Sequence, residues 1–133
     1  MENYIKKGKE YQYDKLKFEG EYLNEVRNGK GKEYDLDGNL KFEGEYLNGK
    51  KWNGKGFNIN GNKIFEIING KGKVKEYTIF GQLKFEGEYL NGERNGKGKE
   101  YHYSGKLIFE GEYLNGKING KGKEYNKNGE LII

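Results

Sequence analysis

The chain reads as an all-β protein, an elongated single-layer antiparallel meander of stacked β-hairpin repeats curled into a trough. Three observations predict this. Phe-Glu-Gly-Glu-Tyr-Leu-Asn recurs at Phe18, Phe42, Phe85 and Phe109, with a step of 24 residues from Phe18 to Phe42 and again from Phe85 to Phe109. A period of that size marks units too small to bury an apolar face without their neighbours. Within each copy the side chains alternate with period two, and Asn-Gly pairs punctuate the copies, as strands joined by hairpin turns require.

From Leu40 to Leu47, Leu40, Phe42, Gly44 and Tyr46 share one parity while Lys41, Glu43 and Glu45 share the other, which predicts a strand. From Lys30 to Leu36, Lys32, Tyr34 and Leu36 alternate with Gly31, Glu33 and Asp35, giving the returning strand. Between them stand Asn28-Gly29, Asn48-Gly49, Asn91-Gly92, Asn95-Gly96 and Asp37-Gly38, pairs that accept positive φ at low cost. Gly20, Gly44, Gly87 and Gly111 separate the rings and leave room for a neighbouring ring over the backbone. With no second layer, the sheet is expected to curl around its aromatic stripe, leaving a wet Lys/Glu face behind it. No window keeps a 3.6-residue period free of glycine, so no helix is expected.

Composition alone leans towards disorder, with 35% charged and 32% hydrophobic residues and a mean hydropathy of −1.15. Twelve Tyr and seven Phe at recurring positions counter it with a thin aromatic core. Cysteine and proline are absent, so neither a disulfide framework nor a thiolate metal site is expected. The N-terminus has no apolar leader core and no stretch approaches membrane-spanning length, which together fit a cytoplasmic chain. The net charge of +4 comes from interspersed basic and acidic groups, so nucleic acid is not the expected partner.

Phe42-Glu-Gly44-Glu-Tyr46-Leu-Asn-Gly49 followed by Gly54-Lys-Gly56 resembles the MORN repeat, and the resemblance extends over nearly the whole chain. By position it covers the aromatic pairs Phe18 and Tyr22, Phe42 and Tyr46, Phe85 and Tyr89, and Phe109 and Tyr113. It implies a single domain over residues 1–133 and a scaffold, often dimeric, that binds proteins. Peripheral attachment to anionic phospholipid membranes is a second implied role, and an antitoxin-like binding protein ranks below both. The pattern breaks at Glu25, in place of a turn glycine, and over residues 50–77, where Glu-Ile-Ile-Asn replaces Glu-Gly-Glu-Tyr-Leu-Asn.

The candidate sites follow. A protein-binding trough is expected from Phe42, Tyr46, Trp52, Phe57, Phe65, Ile67, Tyr89 and Tyr113, with Trp52, Phe57 and Ile67 lining a pocket at the irregular repeat. A lysine rim of Lys30, Lys32, Lys55, Lys71, Lys73, Lys97 and Lys99 would serve an anionic membrane surface. No catalysis, cofactor or metal is expected. The paired glutamates such as Glu43 and Glu45 recur in four equivalent places, whereas a catalytic pair needs one distinctive environment. His102 is read as an ordinary strand residue, and Asp35-Leu-Asp37-Gly38-Asn39 as a turn rather than a calcium loop. The apolar C-terminal edge at Leu131-Ile132-Ile133 is where homodimerisation or strand acceptance is expected.

Overall fold

The structure, a computed structural model, describes residues 5–132, and among them it holds eleven strands and no helix. β1 (Lys6–Gln12), β2 (Lys15–Leu23), β3 (Val26–Tyr34), β4 (Leu40–Leu47), β5 (Lys50–Phe57) and β6 (Lys63–Ile67) form one sheet in chain order. β7 (Gly72–Tyr77), β8 (Leu83–Leu90), β9 (Glu93–Tyr101), β10 (Leu107–Leu114) and β11 (Lys117–Glu124) form a second. Every ladder is antiparallel between sequential neighbours, so the all-β hairpin meander is present and is not closed into a barrel.

The meander is interrupted once, between β6 and β7, where an isolated bridge Ile68↔Lys71 replaces a ladder. The cause lies in two side chains. Elsewhere glycine faces glycine across the strands, as in Gly20↔Gly31 and Gly31↔Gly44. At the interruption Ile67 and Val74 occupy the corresponding positions, with Val74 opposite Gly87. Two branched side chains on one face cannot share the space that a glycine pair leaves, so the strands part and both residues go into the core.

After two tight turns in succession, at Tyr13-Asp14 and Asn24-Glu25, wide and tight turns alternate from β3 onward. The later tight ones are Asn-Gly hairpins with the Asn left-handed, φ being 49° at Asn48, 54° at Asn91 and 51° at Asn115. The wider ones are tied by their first residue: Asp35 Oδ1 accepts the backbone N–H groups of Asp37 and Asn39, both at 2.9 Å. Asn58, Thr78 and Asn126 repeat that pattern. His102 holds the same place, its Nδ1 accepting from Ser104 N at 3.2 Å, and is thus a turn residue rather than a strand residue.

The core is one residue thick. Phe18, Phe42 and Phe85 are 0–1% exposed although no second layer covers them. Each ring lies down over glycine: a Cβ at Gly31 would stand 2.6 Å from Phe18 Cζ and 3.0 Å from Tyr46 Cε1, and Gly98 and Gly122 lie likewise beneath Phe85 and Phe109. At Gly44 a Cβ would first meet the Asn53 carbonyl and Gly54 Cα of the adjacent strand. Edge-to-face contacts link the rings across strands, with centroids 5.2 Å apart for Phe18–Tyr46 and 5.3 Å for Phe85–Tyr113.

Candidate functional site

The two faces of the sheets differ in what they leave open. On the ring face, Glu33 has the parity of Gly31 and so stands among the rings. Its carboxylate accepts from Arg27 Nη1 at 2.9 Å and from the Tyr46 hydroxyl at 2.9 Å, and pairs with Lys51 Nζ at 3.2 Å. Arg27 also makes a two-pronged contact with Glu10, to which the Tyr22 hydroxyl donates at 2.6 Å. The guanidinium lies 3.9 Å above the Phe18 ring centroid. The second sheet repeats the arrangement: Arg94 spans Glu76 and Glu100, the Tyr89 hydroxyl donates to Glu76 and the Tyr113 hydroxyl to Glu100, and Arg94 lies 4.0 Å above Phe85.

These networks are satisfied and set the protonation states. The hydrogen bonds from Arg27 hold the Glu10 carboxyl down at about 2. Burial pushes Glu33 up, but Lys51, Arg27 and the Tyr46 hydroxyl outweigh it and keep the group below the usual carboxylate range. Glu76 follows the same logic, with burial opposed by Arg94 and Tyr89. Burial, then the bond to Glu10, raises Tyr22 to about 12. A charged lid over a ring layer is a structural device, and no buried side-chain oxygen or nitrogen among the described residues lacks a partner.

The opposite face is hollow. In the second sheet a cavity of about 910 Å³ runs over the Lys/Glu side of β7 to β11, with Gly87, Gly98, Gly111 and Gly122 in its floor. Six lysines against four glutamates make its walls. A second hollow of about 750 Å³ lies over β1 to β3, with four lysines against two glutamates. Bulges on each Phe-Glu-Gly-Glu-Tyr strand, such as those between Gly20 and Tyr22 and between Gly87 and Tyr89, bend the strands locally. Several of the glutamates are already engaged. Glu19, Glu86 and Glu110 accept the hydroxyls of Tyr34, Tyr101 and Tyr125. Glu21 and Glu88 accept the backbone N–H of Lys30 and Lys97 at 2.7 and 2.8 Å.

The expected aromatic trough therefore requires correction. Phe42, Tyr46, Phe65, Ile67 and Tyr113 are buried core, and Tyr89 is a half-buried ring packed against both core clusters. The rings fill the space over their own glycines, so the open face is the Lys/Glu one. Trp52, Phe57 and Ile67 do not line one pocket either. Trp52 stands at the tight-turn side of the joint, where a Cβ on Gly70 would come within 2.8 Å of its ring. Phe57 lines a small cavity of about 230 Å³ at the wide-turn side with Leu40, Ile59 and Tyr77.

The lysines are not a rim file. Lys30 and Lys32 lie in the first hollow and Lys73, Lys97 and Lys99 in the second. Each faces carboxylates in the ladder, as in Lys30↔Glu45, Lys32↔Glu43 and Lys99↔Glu110. Lys55 stands between Glu43 and Glu66, and Lys71 belongs to the joint between the sheets. At the C-terminal end Leu131 bridges Tyr125 and Ile132 N donates to the Glu124 carbonyl at 2.8 Å, while Ile133 lies outside the described residues.

Sequence reasoning missed the lids. Their signal is present all the same: Arg27 and Arg94 are the chain's two arginines, both immediately before Asn-Gly, and a glutamate follows Lys in Lys-Glu-Tyr at Glu10, Glu33, Glu76 and Glu100. Among the described residues no helix is long and apolar enough to cross a membrane, and no three His, Cys, Asp or Glu residues gather as metal ligands would. The family model of the MORN repeat matches residues 18–40, 85–106 and 109–130, together half of the chain. No curated protein matches it.

Proposed function

Because this chain belongs to the MORN-repeat family, whose repeats mediate protein and membrane interactions, we propose that it is a non-enzymatic scaffold whose Lys/Glu hollows hold a protein partner. The observation that carries this is the larger hollow, about 910 Å³, open along five strands and floored by glycine backbone. Its surplus of lysine over glutamate favours an extended partner segment of net negative charge. Alternate side chains of such a segment would find alternate lysines, and the strands beneath hold these in fixed register.

The membrane reading stands second. Lysine attracts anionic headgroups by roughly 1 kcal/mol each near a surface, but the glutamates facing these lysines offset much of that. Affinity capture with the intact protein and with Lys97→Ala/Lys99→Ala, set against Lys127→Ala in an exposed turn, tests the proposal. A specific partner should be retained by the wild type and the turn variant and lost from the hollow variant. Retention by all three removes the hollow from the interface. Pelleting with phosphatidylserine vesicles at low and high salt separates the two readings, since headgroup attachment weakens as salt rises.

A further inference from the structure

The wide turns after β3, β5 and β7 converge at the joint between the sheets and share a cavity of about 230 Å³. Leu36 N donates to the Ile79 carbonyl at 3.4 Å and Lys41 Nζ to the Tyr77 carbonyl at 3.3 Å, so the first and third of these turns are tied directly. The residue before each turn distinguishes the joint. Tyr34, Tyr101 and Tyr125 spend their hydroxyls on Glu19, Glu86 and Glu110. Phe57 has no hydroxyl, and Tyr77 donates to no glutamate among the described residues; both line the cavity instead.

The cavity is apolar with one spare cation. Leu40, Phe57, Ile59 and Tyr77 form its apolar wall, and Ile59, at 67% exposure, leaves apolar surface for a ligand to cover. The polar side chains of the lining are otherwise engaged. Asp35 accepts Asp37 N, Asn39 N and Asn39 Nδ2, while Asn58 and Thr78 each accept two N–H groups of their own turns. Lys41 differs: of its three N–H groups one goes to the Tyr77 carbonyl, and it makes no ion pair among the described residues. Burial pushes the ammonium down from the usual lysine range, with Glu33 and Asp35 opposing and Lys51 and Lys84 adding to the shift. An anion beside it removes that penalty.

We infer that this cavity binds a small monocarboxylic acid carrying one ring or a short apolar chain, its carboxylate on Lys41 Nζ and its apolar body between Phe57 and Ile59. The volume is roughly that of eight waters, below the range of drug-sized pockets, which suits a ligand of that size. A cationic ligand fits worse, because Asp35 is already held by three donors while Lys41 stays unpaired. The site shares no lining residue with either Lys/Glu hollow and so stands apart from the partner interface proposed there.

The test is titration of the isotopically labelled full chain with benzoate and with its neutral isostere benzamide, read by methyl and amide shifts. Benzoate should give saturable shifts at Leu40, Ile59 and Thr78 and bind about tenfold or more tighter than benzamide. Lys41→Met, its fold checked by the amide spectrum, should bring benzoate down to the level of benzamide. Ile59→Asn, at an exposed turn position, should weaken both ligands. Absence of shifts at millimolar benzoate, shifts confined to the hollows, equal affinity for the two ligands, or a preference that survives Lys41→Met each overturn the inference. So does tighter binding of a short peptide ending in phenylalanine, which would make a chain terminus the occupant.

Discussion

Single residues in this protein are chosen for what lies directly above or beside them. Glu25 is the clearest exception. It occupies the second place of a tight turn with φ of 66°, where the parallel turns carry Gly49, Gly92 and Gly116, and it is exposed. A side chain in the left-handed region costs on the order of 1 kcal/mol, so Glu25→Gly is expected to raise stability by about that much. The measure is a later urea midpoint with an unchanged slope. The lid residues make a different prediction, about pH. Glu10 is held at about 2 by Arg27, so its contribution is complete above about 4.5 and is lost as pH falls towards 2. Tyr22, Tyr34 and Tyr101 are raised, chiefly by burial, to about 12, and their contribution is complete below about 10 and lost as pH rises through 12. Phenolate absorbance and far-ultraviolet dichroism should therefore change together above pH 10. Phenolate formation at Tyr22, Tyr34 and Tyr101 near pH 10 in an intact sheet, followed by the ring resonances of these three residues, would show that the hydroxyls are not held as described.

At the level of strands and turns, the wide turns share one device, a side chain at the first position that accepts backbone N–H groups. His102 executes it least well, accepting from Ser104 alone where Asp35, Asn58 and Asn126 each accept from two residues. His102→Asn should slow exchange of the Ser104 and Lys106 amides, and His102→Ala should speed it. Equal exchange in all three proteins would mean that the side chain does not tie the turn. Strands and the turns at Asn48-Gly49 and Asn91-Gly92 were legible in the sequence because period two and Asn-Gly each have a direct steric cause, but Asn28-Gly29 and Asn95-Gly96, expected at turns, lie inside β3 and β9. Parity, however, fails at bulges. Lys41, of one parity with Glu43, falls in a bulge opposite Glu33 and Tyr34, and its Nζ donates to the Tyr77 carbonyl at 3.3 Å in the other sheet. The side to which a strand bends is invisible to alternation, because it depends on the volume of ring and guanidinium laid over glycine. Alternation therefore points to the ring face, whereas the hollows lie on the Lys/Glu face. Glu33 carried the remaining information: its parity puts a carboxylate among rings, and a buried carboxylate demands a cation, which Arg27 supplies.

For the whole molecule the question is how two sheets with an interrupted ladder behave as one body. Coupling across the joint rests on few contacts. Ile67 and Val74 share the first core cluster, Tyr89 packs against both clusters, Gly70 N donates to the Trp52 carbonyl at 2.7 Å, and Lys50 pairs with Glu93. Of these Ile67 is the most buried, at 1% exposure, and it stands where a regular copy has glycine. The substitution that breaks the ladder thus also supplies the apolar contact that replaces it. Ile67→Ala removes that contact without restoring a glycine pair, since Val74 remains. It should cost roughly 2–5 kcal/mol, as buried isoleucine truncations do, and the loss should fall on the joint rather than evenly. Trp52, the sole tryptophan, stands at the joint and reports on it by fluorescence, while far-ultraviolet dichroism reports on both sheets. In the wild type the two urea transitions should coincide; in Ile67→Ala the Trp52 transition should precede the loss of sheet. Coincident curves displaced equally in the variant would show that the sheets unfold as one unit and that the joint is as strong as the ladders it interrupts.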